Sequence, residues 1–309
     1  MNTGRHTYFV LVVLLVLALA LGPFLPNWQF LVTIALANGL AVLGMLILLR
    51  TGLLSFGQAL YYCLGAYSVG ALGHLLGTTD VLVLLAVGTA VSVIVAVVLG
   101  FLLANYRDLF FAMLTLAFSM ILYGLLVNSA ALGSTDGFNV LPPTILGRAL
   151  GGGYGLYVVT CVVVFVAATA VHHYFSTPLG WLASAIHDNE IRVEYMGASV
   201  RNAVYVKYVI AAALTGAGGV LAAMATGHVS PGMAYWTTSG DFVFVAILAG
   251  TGNVIAPFLG SLVFELVRSE AQQYSPNTWQ MTLGIVLLLI ILFLPRGLWS
   301  LFTLRRRGA

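Results

Sequence analysis

Long runs of residues without a single Asp, Glu, Lys or Arg dominate the chain. Within each run the apolar residues are continuous and do not alternate with polar ones, which is typical of membrane-spanning helices and not of barrel strands. A span needs about 20 apolar residues, so the first run is long enough for two. The runs cover residues 8–49, 51–79, 81–106, 109–135, 149–187, 208–240, 242–264 and 271–295.

Polar breaks divide these runs into individual spans, with one ambiguous region at 241–272. That region either forms two shorter spans that meet at 250–253 or contains a re-entrant loop over 241–253, which neighbouring protein must cover. We predict an all-α polytopic membrane protein of about ten transmembrane helices, within a range of roughly 8–10, with a short cytoplasmic helix. The other spans are predicted at 8–25, 29–49, 53–76, 81–104, 109–128, 155–174, 204–226 and 279–295.

Composition supports this class, because 61% of the residues are hydrophobic and only 7% are charged. A soluble domain has roughly 25% charged residues, so a water-soluble fold is excluded. The net charge of +3 comes mainly from Arg305, Arg306 and Arg307. We interpret these residues as an anchor to anionic lipid and expect no nucleic-acid partner.

Basic residues also predict the orientation of the spans, since cytoplasmic loops are enriched in Lys and Arg. Only Arg148 and Arg268 of the 12 basic residues then face out, and both termini are cytoplasmic. The triplet at 18–20, Ala-Leu-Ala, resembles a signal cleavage site. However, the apolar run before it is longer than the usual signal core of about 7–15 residues, which favours a retained first span.

Small residues inside the apolar segments have a packing interpretation. The spacing of Gly219, Ala223 and Gly227 puts three small residues on one helix face, where they let helices approach closely. The two cysteines, Cys63 and Cys161, lie within apolar segments, and we assign them neither redox chemistry nor a metal.

One internal segment, residues 176–207, is both long and polar. It begins with the helix breaker Ser-Thr-Pro-Leu-Gly at 176–180. Its apolar positions Leu182, Ile186, Val193 and Met196 recur at near-helical spacing. This pattern predicts a short amphipathic helix or a pair of helices.

Two stretches of this segment resemble the coupling-loop motif of ABC importer permeases for branched-chain amino acids, namely Gly-Trp-Leu-Ala-Ser-Ala-Ile-His-Asp-Asn-Glu at 180–190 and Glu-Tyr-Met-Gly at 194–197. Further similar stretches follow the order of that family at 52–59, 65–67, 111–123, 134–137, 227–231, 238–240, 249–252 and 295–298. The family usually has arginines where this chain has Trp181, Ser184 and His187, and two adjacent glycines are common within the loop at 133–137.

The resemblance implies a single permease domain over 1–309, with a cytoplasmic coupling loop at 176–203 and an extracytoplasmic loop at 129–154. It implies a multi-pass protein of the bacterial inner membrane that is not itself an enzyme. The implied partners are a homologous second permease, two cytoplasmic ATP-binding subunits and an extracytoplasmic substrate-binding protein. The residues expected to couple to the ATPase are Gly180, Ile186, His187, Asp188, Asn189, Glu190 and Gly197.

The energy source is expected on a separate chain. The only lysine, Lys207, follows Val206, so the phosphate-binding G-x-x-x-x-G-K motif is absent from the sequence. We therefore expect no cofactor here, with ATP and Mg on the partner subunits. A zwitterion with an aliphatic side chain needs small polar groups for its charges and apolar surface for its tail. Candidates to line its path are Ser55, Gln58, Thr115, Ser119, Asp136 and Asp241.

Several alternatives remain open. Within the family, urea or another small amphipathic solute is a different cargo. An ion-coupled secondary transporter would use Asp241 or Glu265 as a relay, although these residues and Glu270 lie near predicted helix ends, where we expect interfacial positions. A membrane enzyme is a third class, for which no spaced set of catalytic residues is found.

Overall fold

The computed structural model describes residues 2–24, 26–145, 147–150, 153–274, 276–294 and 297–300. Over this part of the chain it is a bundle of α-helices with four strands of two residues each. The all-α polytopic class is thereby confirmed. The predicted lipid anchor at Arg305–Arg307 lies outside the described residues.

Twelve α-helices occur within those residues. Seven of them, α1 to α6 and α9, are long and apolar enough to cross a bilayer. Helices α10, α11 and α12 are shorter or less apolar and complete a bundle of ten, while α7 and α8 are short. The bounds are α1 Asn2–Leu21, α2 Pro26–Leu49, α3 Gln58–Leu76, α4 Val81–Leu103, α5 Asp108–Asn128, α6 Tyr154–Phe175, α7 Pro178–Asp188, α8 Glu190–Tyr195, α9 Val200–Thr226, α10 Trp236–Ala249, α11 Ala256–Tyr274 and α12 Trp279–Phe293.

Helix α3 begins later than the sequence pattern predicts. The predicted span starts at residue 53, whereas α3 starts at Gln58 and the preceding residues enter the bundle without helical structure. The backbone N–H of Phe56 donates instead to the Thr115 hydroxyl of α5 at 3.2 Å. Non-helical backbone at membrane depth is tolerated only where protein satisfies its polar groups, and α5 provides such a partner.

Two helices, α10 and α11, occupy the ambiguous region. Helices α10 and α11 are joined by residues 250–255, and Arg50 holds this turn by donating from Nε and Nη2 to the Thr251 carbonyl at 3.0 and 2.7 Å. Helix α10 has 14 residues. At 1.5 Å per residue it is about 21 Å long, shorter than the hydrocarbon core of about 30 Å. Its length alone is therefore insufficient to cross that core.

The two ends of the bundle differ in structure. One end carries α7 and α8 together with Arg50, Arg107 and the turn at Thr251, and we call it the platform end. The other, the strand end, carries two antiparallel strand pairs. The predicted orientation requires the two arginines to lie on the same side of the membrane as α7 and α8, and they lie at the same end of the bundle. The strands are β1 Phe138–Asn139, paired with β4 His228–Val229, and β2 Thr144–Ile145, paired with β3 Arg148–Ala149.

Helix α9 occupies the centre of the bundle, where it packs most extensively on α2, α3 and α4. A Cβ on Gly219 would overlap the backbone carbonyl of Tyr62, and one on Gly65 would overlap that of Gly216. These glycines allow the close backbone approach that the sequence predicts. Gly227 has a different role from the predicted one, because it adopts a left-handed conformation and ends α9 as its C-cap.

Candidate functional site

Local sequence signals define the short helices at the platform end. The Thr177 hydroxyl accepts a hydrogen bond from the Gly180 N–H and caps α7, whose first residue is Pro178. Asn189 ends α7 in an extended conformation and then caps α8 by accepting from the Arg192 N–H at 2.9 Å. The predicted helix pair is thus formed, and we call residues 178–197 the platform.

Three contacts attach the platform to the bundle. A Cβ on Gly180 would meet the Tyr174 carbonyl and the Phe175 backbone at the end of α6. The His187 imidazole packs on Gly52, where a Cβ would lie 3.1 Å from its Cδ2. Glu190 accepts a hydrogen bond from Arg107 Nε at 2.7 Å, in an ion pair between α8 and the connection from α4 to α5. The platform is therefore held by three separate parts of the chain.

The predicted coupling residues divide into buried and exposed groups. Gly180 and Ile186 are buried against the bundle, together with Ala183 and Val193. Glu190 is half-buried in its ion pair. Those that lie exposed are His187, Asp188, Asn189 and Gly197, the last in a left-handed conformation with φ +83°.

The exposed side of the platform carries large apolar side chains that were not predicted as functional. Trp181 is 71% exposed and Tyr195 is 89% exposed. Ile191 and Met196 are also exposed, although Met196 was expected on the buried face. The prediction was wrong because the helix is interrupted at Asn189. Residues of α7 and α8 that are spaced as on one continuous helix therefore do not lie on the same face. The only sequence signal of this exposed apolar surface was the presence of Trp181 in a polar segment.

A groove of about 470 Å³ separates the platform from the turn at Thr251. Arg50, Trp181 and His187 line it, and the Arg50 guanidinium also lies 4.0 Å from the centre of the Phe175 ring. Burial lowers the pKa of Arg50 from 12.5 to about 10, so the group keeps its positive charge at neutral pH. The charge stabilises the turn through the Thr251 carbonyl.

Four of the candidate path residues lie in the packed interior. Ser55, Gln58, Thr115 and Ser119 are each at most 1% exposed. The Gln58 side-chain oxygen accepts from the Thr215 hydroxyl at 2.7 Å, and the Ser119 hydroxyl donates to the Ala234 carbonyl at 2.8 Å. Their bonds join neighbouring segments, as polar groups in membrane helices commonly do. A role for them in the path stays a prediction.

The other two candidates lie apart. Asp136 is exposed beside the strand pairs and accepts a hydrogen bond from the neighbouring Thr135 hydroxyl. Asp241 is on the second turn of α10, where it lines a cavity of about 640 Å³. The six candidates therefore do not form one site, and only Asp241 reaches this space.

This cavity, which we call the strand-end cavity, extends deep into the bundle. Along α2 it runs from Phe30 to Val42, which is about 18 Å at 1.5 Å per residue. Thr226 and Ser230, beside β4, also line it. Because Val42 is seven residues before the end of α2 at Leu49, the cavity stops about 10 Å short of the platform end.

A polar network lines one wall of the strand-end cavity. Asn38 Nδ2 donates to Glu265 Oε1 at 2.8 Å, and the Tyr62 hydroxyl donates to Asn38 Oδ1 at 2.7 Å. Arg268 Nη1 lies 3.9 Å from the same Glu265 oxygen. Glu265 is only 12% exposed and lies in the middle of α11, so the predicted position near a helix end is wrong for it. Helix α11 continues nine residues past Glu265, which puts this carboxylate within the bundle.

Asp241 lies nearer the beginning of its helix and also lines the cavity. Helix α10 starts five residues earlier, at Trp236, and this brings Asp241 into the cavity wall. Sequence reasoning did not identify Asn38, Tyr62 and Arg268 as functional residues. The only sequence signal of this group was Asn38, a polar residue within an apolar span.

Comparison with known proteins identifies the family of this chain. A profile of the family described as "Branched-chain amino acid transport system / permease component" matches residues 28–294. The chain belongs to this permease family. All helices from α3 to α12, the platform and the strand-end cavity of the permease fall within the matched residues.

Two curated relatives resemble the permease over most of its length. The high-affinity branched-chain amino acid transport system permease protein LivM of Escherichia coli is 26% identical over 325 aligned residues, covering 96% of this permease and 76% of LivM. LivM of Salmonella typhimurium is 26% identical over 273 residues, covering 80% of the permease and 64% of the relative, which is less than two thirds. No solved structure matches the permease.

Proposed function

We propose that this permease is the membrane-spanning subunit of an ATP-driven importer that passes leucine, isoleucine and valine into the cytoplasm. In this proposal the platform faces the cytoplasm and docks on a separate ATPase. The complete transporter contains a homologous second permease, two ATP-binding subunits that hold ATP and Mg, and an extracytoplasmic substrate-binding protein. It resides in the bacterial inner membrane with both termini of this chain in the cytoplasm.

The observation that carries the proposal is the exposed apolar surface of the platform. Trp181, Ile191, Tyr195 and Met196 are exposed in a segment outside the long apolar helices. Several large exposed apolar side chains on a short polar segment support a protein-interaction surface. Aromatic residues and Met are also enriched in such interfaces.

The attachment of the platform supports a coupling role. Its contacts reach Gly52 before α3, Arg107 before α5 and the end of α6. A displacement of the platform by a partner is therefore transmitted to several helices at once. Dense packing makes such elements move as rigid bodies.

The nucleotide is best assigned to another subunit. Lys207, the only lysine of the sequence, is fully buried on α9 and follows Val206. It cannot belong to a phosphate-binding loop of the G-x-x-x-x-G-K type. ATP hydrolysis by this chain itself is thereby disfavoured.

An ion-coupled carrier is the second candidate function. Asp241 and Glu265 line a cavity inside the bundle, and carboxylates at membrane depth are typical of ion and proton pathways. The platform has no assigned role in that mechanism. This is why we favour the ATP-driven importer.

Two measurements test the proposal. In mild detergent, a tagged permease co-expressed with its importer subunits should retain the ATPase, whereas a Gly180→Pro, Glu190→Lys double variant should insert normally but lose it. Undiminished ATPase binding by the double variant would contradict the docking role. For the cargo, leucine, isoleucine and valine should raise the unfolding temperature of the binding protein, and urea should not. Stabilisation by urea alone would overturn the cargo assignment.

A further inference from the structure

The strand-end cavity has an arrangement of charges suited to a small zwitterion. Asp241 and Glu265 supply two carboxylates, and Arg268 supplies one guanidinium. Glu265 is already engaged by Asn38 Nδ2 at 2.8 Å and, more distantly, by Arg268. Asp241 forms no hydrogen bond with any described residue and is the free anionic group of the cavity.

Arg268 has free donors as well. Its only ion pair within the described residues is the 3.9 Å contact to Glu265, and its guanidinium lies 5.4 Å from the Trp279 ring. A guanidinium presents five N–H donors, so several remain for an incoming carboxylate. The side chain is 35% exposed and accessible from the cavity.

The deep part of the cavity also contains a buried hydroxyl group. The Ser261 hydroxyl is 1% exposed, lines the cavity and has no hydrogen-bond partner among the described residues. Buried polar groups are nearly always paired, so the Ser261 hydroxyl is a polar group of the deep wall that can still form a hydrogen bond.

Apolar side chains form the rest of the deep wall. Val42, Phe242, Val245 and Phe264 line it and are themselves buried. A small-molecule site usually combines apolar side chains with a few convergent polar groups, and 640 Å³ lies within the common range of about 300–1,000 Å³.

We infer that the strand-end cavity binds an aliphatic α-amino acid on its way through the membrane. The Asp241 carboxylate receives the α-ammonium group, Arg268 receives the α-carboxylate, and the aliphatic side chain lies on Val42, Phe242 and Phe264. This site rests on the proposed function for its cargo class, but it assigns recognition to the permease itself and not only to a separate binding protein.

A cysteine reporter tests this site in the complete transporter. Ser269 lines the cavity and is exposed, whereas the native Cys63 and Cys161 are buried. In proteoliposomes that hold the transporter without its binding protein, leucine should slow modification of Ser269→Cys by a membrane-impermeant thiol reagent. Leucinol, which lacks the carboxylate, and 4-methylpentanoate, which lacks the ammonium group, should protect roughly 10-fold less well. Thr135→Cys, exposed outside the cavity, reports any general change in reactivity.

Matched carboxylate variants locate the ammonium site. Asp241→Asn should weaken protection by leucine roughly 10-fold. Glu270→Gln, an exposed residue of the same acidic set that does not line the cavity, should leave it unchanged. Absence of protection by leucine, equal protection by all three compounds, or full protection in Asp241→Asn would each overturn the inference.

The same proteoliposomes separate this inference from the proposed function. After addition of ATP and the binding protein, they should accumulate leucine. Normal uptake without cysteine protection refutes the cavity site alone. Protection without ATP-driven uptake refutes the importer and leaves the cavity as a binding site.

Discussion

The Arg107 guanidinium and the Glu190 carboxylate form an ion pair of 2.7 Å across 83 residues of sequence. Arg107 Nη1 also donates to the Ala104 carbonyl at 2.7 Å, at the end of α4. One side chain therefore joins the platform to the connection between α4 and α5. Since both partners are partly exposed, the pair contributes little to stability and mainly fixes the position of α8.

Reversing the charge at Glu190 should release this contact. Glu190→Lys replaces the ion pair by a like-charge pair, and we expect a loss of about 1 kcal/mol in the free energy of unfolding together with a larger loss of leucine uptake. Glu194→Lys makes the same change at an exposed residue of α8 that has no ion pair with any residue that the structure describes, and it should not affect thermal unfolding. Equal leucine uptake by the two variants would contradict the role of the pair in positioning α8.

The contact between Gly52 and His187 is expected to be sensitive to one methyl group. Gly52→Ala places a Cβ 3.1 Å from the His187 ring at a residue with φ +83°, a conformation that costs about 1–2 kcal/mol for other residues. Gly77→Ala is the control, because Gly77 has φ +62° but nothing within 4 Å. We expect several-fold lower ATP-driven uptake for Gly52→Ala than for Gly77→Ala at equal membrane levels. Equal uptake would show that the platform contact is dispensable.

Close packing at the centre of the bundle predicts a strong effect for a small substitution. In Gly219→Ala the added Cβ would overlap the Tyr62 carbonyl, which backbone movement alone can relieve, so we expect a loss of about 1–3 kcal/mol. Gly124→Ala, within α5 and with nothing near its Cβ, should be neutral or stabilising by about 0.5–1 kcal/mol. Thermal unfolding of the purified variants measures both effects, and similar values for the two would argue against close packing of α9.

Trp181 provides a test of docking that leaves the fold intact. Because it is 71% exposed, Trp181→Ala should change the unfolding temperature of the isolated permease little. Exposed Trp residues at interfaces frequently contribute about 2 kcal/mol or more to binding, so the amount of co-purified ATPase should fall sharply. Ile285→Ala, at an exposed residue of α12, is the control and should keep the ATPase. Normal ATPase recovery with Trp181→Ala would remove Trp181 from the interface.

Much of the fold could be predicted because continuous apolar runs allow only helices in lipid. The helix pair of the platform was also predictable, since Pro178, Asn189 and Gly197 are local signals that define its limits. The late start of α3 was not predictable, because the Thr115 hydroxyl that replaces a helical partner of Phe56 lies on another helix. Such partners become known only from tertiary structure.

The candidate site was predicted less completely for the same reason. Asp241 was identified as a path residue by its chemistry alone. Its neighbours in the strand-end cavity come from α2, α3 and α11, and no sequence pattern relates Asn38 and Tyr62 to Glu265. Glu265 was expected near a helix end because the limits of its helix were misjudged by several residues, which is the usual error of sequence-based boundaries.

Leucine accumulation in reconstituted vesicles tests the central claim most directly. Vesicles that hold this permease and its homologous partner, with binding protein supplied, are compared with and without the ATPase subunits. We predict accumulation only when the ATPase and ATP are both present, with no response to a proton or sodium gradient. Accumulation driven by an ion gradient in vesicles that lack the ATPase would contradict the claim.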